Sequence, residues 1–198
     1  LPAITGYSDA TSADISFTIT TVTRTIAINA ASYSATYAFN ATAPTLTSTV
    51  SPGGGGSVTY TSSTTSICTV VSATGVVTFV NVGTCTIYSE VAAVTGYSAA
   101  TSASVSFTID RAVAVNAPSS TRKSTTVTWT YTLYPAPATG GTVSWSSSTT
   151  SVCTVVSGTG AVTYANATGS TCTITVTIGV SGSLIQVTNT RSATVSAN

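Results

Sequence analysis

Residues Tyr60–Ile87, YTSSTTSICTVVSATGVVTFVNVGTCTI, recur as Trp145–Ile174, WSSSTTSVCTVVSGTGAVTYANATGSTCTI. The match is gapless from Tyr60/Trp145 to Val80/Ala165, and a two-residue insertion then precedes the last cysteine. Such self-similarity means that one structural unit is built twice, which constrains the fold more than any single motif. The match extends outward: AINA at Ala27 pairs with AVNA at Ala114, and SFTI at Ser106 pairs with SATV at Ser192. Two full repeats follow, 20–109 and 110–198. Residues 1–19 contain ITGYSDATSADISFTI, a near copy of VTGYSAATSASVSFTI at Val94–Ile109. They therefore read as an orphan closing strand, either of a preceding repeat or donated to a neighbour.

Each repeat has the pattern of half-buried strands. VTWTYTLY places Val127, Trp129, Tyr131 and Leu133 on one face and Thr128, Thr130 and Thr132 on the other. CTITVTI sets Cys172, Ile174, Val176 and Ile178 against threonines, and ISFTI sets Ile15, Phe17 and Ile19 inward. A period of two is the signature of antiparallel strands with one buried face. Turn signals separate the strands: SPGGGGS, SATG, NVG, TGYS, PAPATGG and SGTG. SPGGGGS reads as a hairpin turn. Short strands at this spacing predict an all-β chain of Greek-key sandwiches. The last strand, SATVSAN, reads as weak because Ala193 stands where the other copies have Phe17 and Phe107.

Charge narrows the function. Only 5% of residues are charged, against roughly 25% in an ordinary soluble domain. The net charge of +1 supplies no basic face for nucleic acid. No apolar run reaches the ~18 residues of a membrane helix. Abundant Val, Ile, Thr and Tyr argue against disorder. The chain begins Leu-Pro rather than Met, so the expectation is a piece of a longer protein.

The four cysteines fall into two local pairs, Cys68/Cys85 and Cys153/Cys172. Spacings of 16 and 18 residues, without a CxxC, favour structural disulfides over redox or metal chemistry. Disulfides in turn imply an extracellular or cell-surface location.

SSTTSICTVVSATGVVTFVNVGTCTI resembles the core of bacterial immunoglobulin-like repeats of the invasin type, which occur in tandem in large surface proteins. The resemblance covers both repeats, most strongly their second halves, and implies tandem immunoglobulin-like sandwiches. Antibody domains place one cysteine on each side of a strand Trp. Here both cysteines of each pair follow Tyr60 or Trp145, so the antibody bridge does not carry over.

Catalytic and binding motifs are sparse. The absence of histidine removes Ser–His and Cys–His nucleophiles and histidine-ligated metals. Asp9 and Asp14 are replaced by Ala99 and Ser104 in the second copy, and two acids do not make a calcium site. Gly53–Gly56 lacks the Lys-Ser/Thr of a phosphate loop. Arg122-Lys123 reads as a solvated pair. Tyr7 and Tyr97 share a GYS turn and read as packing residues. Asn40-Ala41-Thr42 and Asn166-Ala167-Thr168 match the N-glycosylation pattern.

The expectation is a non-enzymatic, cofactor-free structural module of an extracellular filament, sheath or stalk. It would partner itself through adjacent repeats or as a homopolymer, with Ile15, Phe17 and Ile19 as candidates for strand exchange. The alternative is an adhesin that binds a receptor or glycan through exposed Tyr33, Tyr37, Phe39 and Tyr134.

Overall fold

The computed structural model describes residues 5–6, 11–18, 20–118, 121–135, 141–165, 167–182 and 184–197. In the first repeat the strands are β1 (Thr25–Ile28), β2 (Thr36–Ala38), β3 (Ser48–Ser51), β4 (Val58–Ser62) and β5 (Cys68–Val70). They are followed by β6 (Val77–Phe79), β7 (Gly83–Val91), β8 (Ala100–Thr101) and β9 (Val105–Asp110). The second repeat has β10 (Ala112–Asn116), β11 (Thr126–Thr128), β12 (Thr130–Tyr134) and β13 (Val143–Ser147). It closes with β14 (Cys153–Val155), β15 (Ala161–Tyr164), β16 (Thr171–Ile178) and β17 (Val187–Thr194). The one helical element among the described residues is a 3-10 turn at Ala30–Ser32.

One layer of the first repeat is a five-stranded sheet ordered β2, β9, β7, β4, with β8 also beside β7. The facing layer pairs β1 with β3 and β5 with β6. The second repeat has a sheet ordered β13, β16, β17, faced by β10 with β12 and by β11, β15, β14. Each is an immunoglobulin-like Greek-key β-sandwich.

Two apolar cores result. Ile28, Leu46, Tyr60, Cys68, Val77, Cys85, Ile87, Phe107 and Ile109 form the first. The second contains Trp129, Trp145, Cys153, Val162, Tyr164, Cys172, Ile174, Val176, Ile178 and Val195. The alternation read in CTITVTI holds: its apolar residues are at most 1% exposed. The outward threonines meet across the strands as hydroxyl pairs, Thr175 with Thr190 at 2.7 Å and Thr173 with Ser192 at 2.8 Å. Thr86 and Ser106 form the same pair in the first repeat at 2.9 Å. Such cross-strand pairs stabilise a sheet face without charge.

Four expectations need correction. VTWTYTLY is not one strand. It breaks at Trp129, so that β11 pairs with β15 and β12 with β10. The chain thus changes partners within its layer, and Trp129, held by its N–H on the Gly160 carbonyl at 2.9 Å, turns into the core. Tyr131 is the exposed residue of the series at 37%.

SPGGGGS is not a hairpin turn either. β3 pairs with β1 and β4 with β7, so this loop carries the chain from one layer to the other.

The closing strand of the second repeat is longer than SATVSAN, although no residue within it is buried as Phe107 and Ile109 are in β9. β17 pairs with β16 at eight consecutive positions, and Val195 beyond it is 1% exposed. Ala193 lies opposite Cys172 as Phe107 lies opposite Cys85. The aromatic volume shifts to Trp129, which takes the place of Leu46 on the equivalent glycine carbonyl.

Finally, Ile15 and Phe17 do not point into a core. Residues 11–18 form no strand, and the two side chains are 90% and 81% exposed. The places that their copies Val105 and Phe107 occupy beside β7 are already filled by β9. Ile19 lies outside the described residues.

Candidate functional site

The repeats share a set of devices that hold the ends of each sandwich. The first is the pairing of a strand near the start of the repeat with its last strand. β2 runs parallel to β9, with Thr36 opposite Thr108, Tyr37 opposite Ile109 and Ala38 opposite Asp110. Thr108 N–H donates to Ala35 and Phe39 N–H to Asp110, extending the ladder at both ends. In the second repeat Arg122 makes the equivalent parallel bridge to Ser196, with Ser196 N–H on Thr121 and Lys123 N–H on Ser196. Because the strands are parallel and lie toward opposite ends of the repeat, tension along the chain slides one past the other. All their hydrogen bonds are then loaded together.

The second device is a disulfide between layers. Cys68 on β5 joins Cys85 on β7 with the Cα atoms 5.6 Å apart, and Cys153 on β14 joins Cys172 on β16 at 5.7 Å. Both separations lie in the range of relaxed disulfides. The SSTTS segment before each bridge shapes its approach. Ser62 Oγ donates to the Cys68 carbonyl at 2.8 Å, and Thr64 Oγ1 accepts from Thr86 N–H at 2.9 Å. Ser147 and Thr149 repeat both contacts at 2.9 and 2.8 Å.

The third device was not recognised in the sequence. Arg24 and Arg111, each just ahead of the repeated AINA/AVNA segment, are only 3% exposed. Among the described residues neither meets a carboxylate. Arg24 Nε donates to the Ser98 carbonyl at 2.8 Å, Nη1 to Gly55 at 2.6 Å and Nη2 to Ala92 at 2.5 Å. A buried guanidinium is tolerated when its planar donors are met by fixed acceptors, and hydrogen bonds to a charged group are the strong ones. The Tyr97 ring lies 5.6 Å from the guanidinium carbon, which adds a cation–π contact. Arg24 therefore gathers three segments at one end of the sandwich: the Gly-rich crossover, the end of β7 and the GYS turn. The glycines have local reasons. A Cβ on Gly54 would stand 2.6 Å from the Tyr97 ring, and one on Gly56 2.7 Å from the Ala92 carbonyl.

Arg111 repeats two arms of the clasp, its buried Nη1 meeting no acceptor among the described residues. Its Nε donates to Ile185 at 2.5 Å, and its Nη2 to Ile178 at 3.3 Å and to Gly179. It is also the single residue between β9 and β10. The joint between the repeats is thus itself anchored in the second sandwich. The recurrence of Arg at this point, in a chain with five bases, was the available signal.

The remaining sequence candidates are dispersed. Tyr33, Tyr37 and Phe39 are half-buried and pack on Phe79 and Phe107, with ring centroids 5.3 to 6.5 Å apart, so they form no exposed platform. Tyr134 is half-buried at the end of β12. Asn40 is exposed in the turn after β2, open to modification, whereas Asn166 lies outside the described residues. Asp14 is exposed; Asp9 and Tyr7 lie outside the described residues. Among the described residues no cluster of three His, Cys, Asp or Glu could hold a metal ion. No helix there is long and apolar enough to cross a membrane. Burial raises the pKa of the Tyr164 phenol above its ordinary value, partly offset by the hydrogen bond from Trp129 Nε1 at 2.7 Å.

No family model matches the chain, and no curated protein matches it in sequence. Similar solved structures include a C-terminal 282-residue fragment of intimin in complex with the intimin-binding domain of its translocated receptor. It is 17% identical with a TM-score of 0.34, and the match covers 82% of this chain and 61% of the fragment. Domains 1–6 of the surface layer protein SbsC match at 19% identity and a TM-score of 0.31, over 80% of this chain and 24% of that one. Drosophila N-cadherin EC1-3 matches at 12% identity and a TM-score of 0.33, over 88% and 68%. The chain thus spans about three fifths of the intimin fragment and about a quarter of the SbsC one.

Proposed function

We propose that the chain is a structural repeat segment of an extracellular filament, sheath or surface stalk, and that its two repeats transmit tension along the polypeptide. The observation that carries this is the parallel pairing of β2 with the last strand, β9, in the first repeat, with the single parallel bridge Arg122–Ser196 at the equivalent place in the second, beside a one-residue joint anchored by Arg111. Disulfides and arginine clasps then limit how far each sandwich can extend. The uncharged threonine faces leave little electrostatic opposition to lateral packing, since charged edges are a common guard against it.

Within this account, residues 11–18 complete a sandwich built from another repeat, placing Ile15 and Phe17 as Val105 and Phe107 are placed beside β7. Electron microscopy of the full-length native protein tests the assembly. Filaments or sheaths are expected, and dispersed monomers alone would count against it. Filaments unchanged after deletion of residues 1–19 would eliminate strand exchange between subunits.

A further inference from the structure

The two repeats differ most tellingly at one cleft. In the second repeat Thr128, Trp129, Thr130, Tyr131, Val143, Trp145, Gly158 and Thr159 enclose about 240 Å³ open to solvent. Four of these positions change between the repeats. Trp129 replaces Leu46, as their shared bond to the glycine carbonyl shows. Tyr131 replaces Ser48, the residues opposite Val115 and Ile28. Trp145 and Gly158 replace Tyr60 and Ala73 in the gapless match. The substitutions enlarge the aromatic wall and remove a methyl group from the lining. Trp129 and Trp145 are core residues at 1% and 5% exposure, so core packing accounts for them. It does not account for Tyr131, which is 37% exposed and leans on Trp145 with centroids 6.1 Å apart and planes at 59°.

We infer that this cleft is a subsite for one neutral sugar ring of an oligosaccharide. The ring's C–H face would rest on Tyr131, and the Thr159 hydroxyl, with the main chain of Thr128 and Thr130 along the cleft, would meet the hydroxyls of the sugar. Hydroxyls both donate and accept, which suits a polyol. The cleft is lined by no Asp, Glu, Lys or Arg, so its electrostatics match an uncharged ligand. Its volume is below the range of drug-sized sites, which sets the fit at a single ring. This site is independent of the tension-bearing account, and either can fail alone.

The test is an NMR titration of the intact chain with maltohexaose, cellohexaose and chitohexaose, using hexagalacturonate as the anionic control. At least one neutral hexamer is expected to shift the amides of Thr128, Tyr131, Trp145 and Thr159 with a dissociation constant of about 1 mM. Tyr131→Ser, which installs the residue of the first repeat, should weaken binding roughly tenfold, or about 1.4 kcal/mol. Gly158→Ala should also weaken it while leaving the fold intact, because a Cβ there meets nothing within 4 Å. No shift at about 10 mM of any neutral hexamer would overturn the proposal. So would a preference for the anionic hexamer, shifts confined to another surface, or unchanged binding in both variants. Shifts at these amides caused only by raising protein concentration would assign the cleft to self-association and overturn it equally.

Discussion

Reducing the disulfides should lengthen each unfolding event by an amount fixed by the structure. Under tension an intact bridge hides the chain between its cysteines. Cys68 and Cys85 are 17 residues apart; at about 3.5 Å per extended residue, less the 5.6 Å already spanned, about 54 Å is withheld. Cys153 and Cys172 are 19 apart with 5.7 Å spanned, so about 61 Å is withheld. The folded length of each repeat cancels from this difference, which needs no knowledge of the unfolding path. In single-molecule pulling with and without reductant, the two events should gain about 54 and 61 Å on reduction. Each bridge should also contribute about 3 kcal/mol by restricting the unfolded chain, so reduction should lower the melting temperature by about 12–24 °C. Identical traces in both conditions would refute the reasoning. A gain far above these lengths would show that the bridges connect the repeats instead of closing local loops.

Three further outcomes follow from individual residues. Arg24→Lys removes the planar fork and its three charge-assisted bonds from the buried guanidinium, and should cost the first repeat about 3 kcal/mol by calorimetry. Trp fluorescence should show the second repeat unmoved, because both tryptophans lie there, and exposed Arg191→Lys should cost less than about 0.5 kcal/mol. The raised pKa of Tyr164 means that the unfolded chain loses this proton first, near the ordinary value of 10.0. The increment of stability linked to this proton should therefore be fully present below that pH and be lost as pH rises through the folded pKa; thermal melts of Tyr164→Phe should lack this component. Gly160→Ala, at φ +71° with the Trp129 carbonyl 2.7 Å from the new Cβ, should cost about 3 kcal/mol in urea unfolding followed by Trp fluorescence.

The sequence showed much of the fold because side-chain alternation and repetition are local signals. CTITVTI has one buried face whether or not its neighbours are known, and two cysteines in matching segments point to one bridge per repeat. Other features depend on partners that lie far along the chain. The alternation of VTWTYTLY is the same for one strand or two, so the change of partner at Trp129 left no local trace. Four glycines marked a turn without revealing which layers it joins. Tyr33, Ala35, Tyr37 and Phe39 do follow a period of two, so the inward face was legible there, and Phe79 and Phe107 draw the three aromatic rings inward. The burial of Arg24 left no local trace, because its acceptors are backbone carbonyls 31 to 74 residues away.

The most direct test of the tension-bearing claim compares two pulling directions on the first repeat. Handles at Thr20 and Asp110 load the parallel β2 and β9 pair in shear. Handles at Thr42 and Asp110 pull from the same end of both strands and open the pair one hydrogen bond at a time. The first geometry should rupture at a higher force than the second. Equal forces, or a weaker first geometry, would contradict the tension-bearing claim.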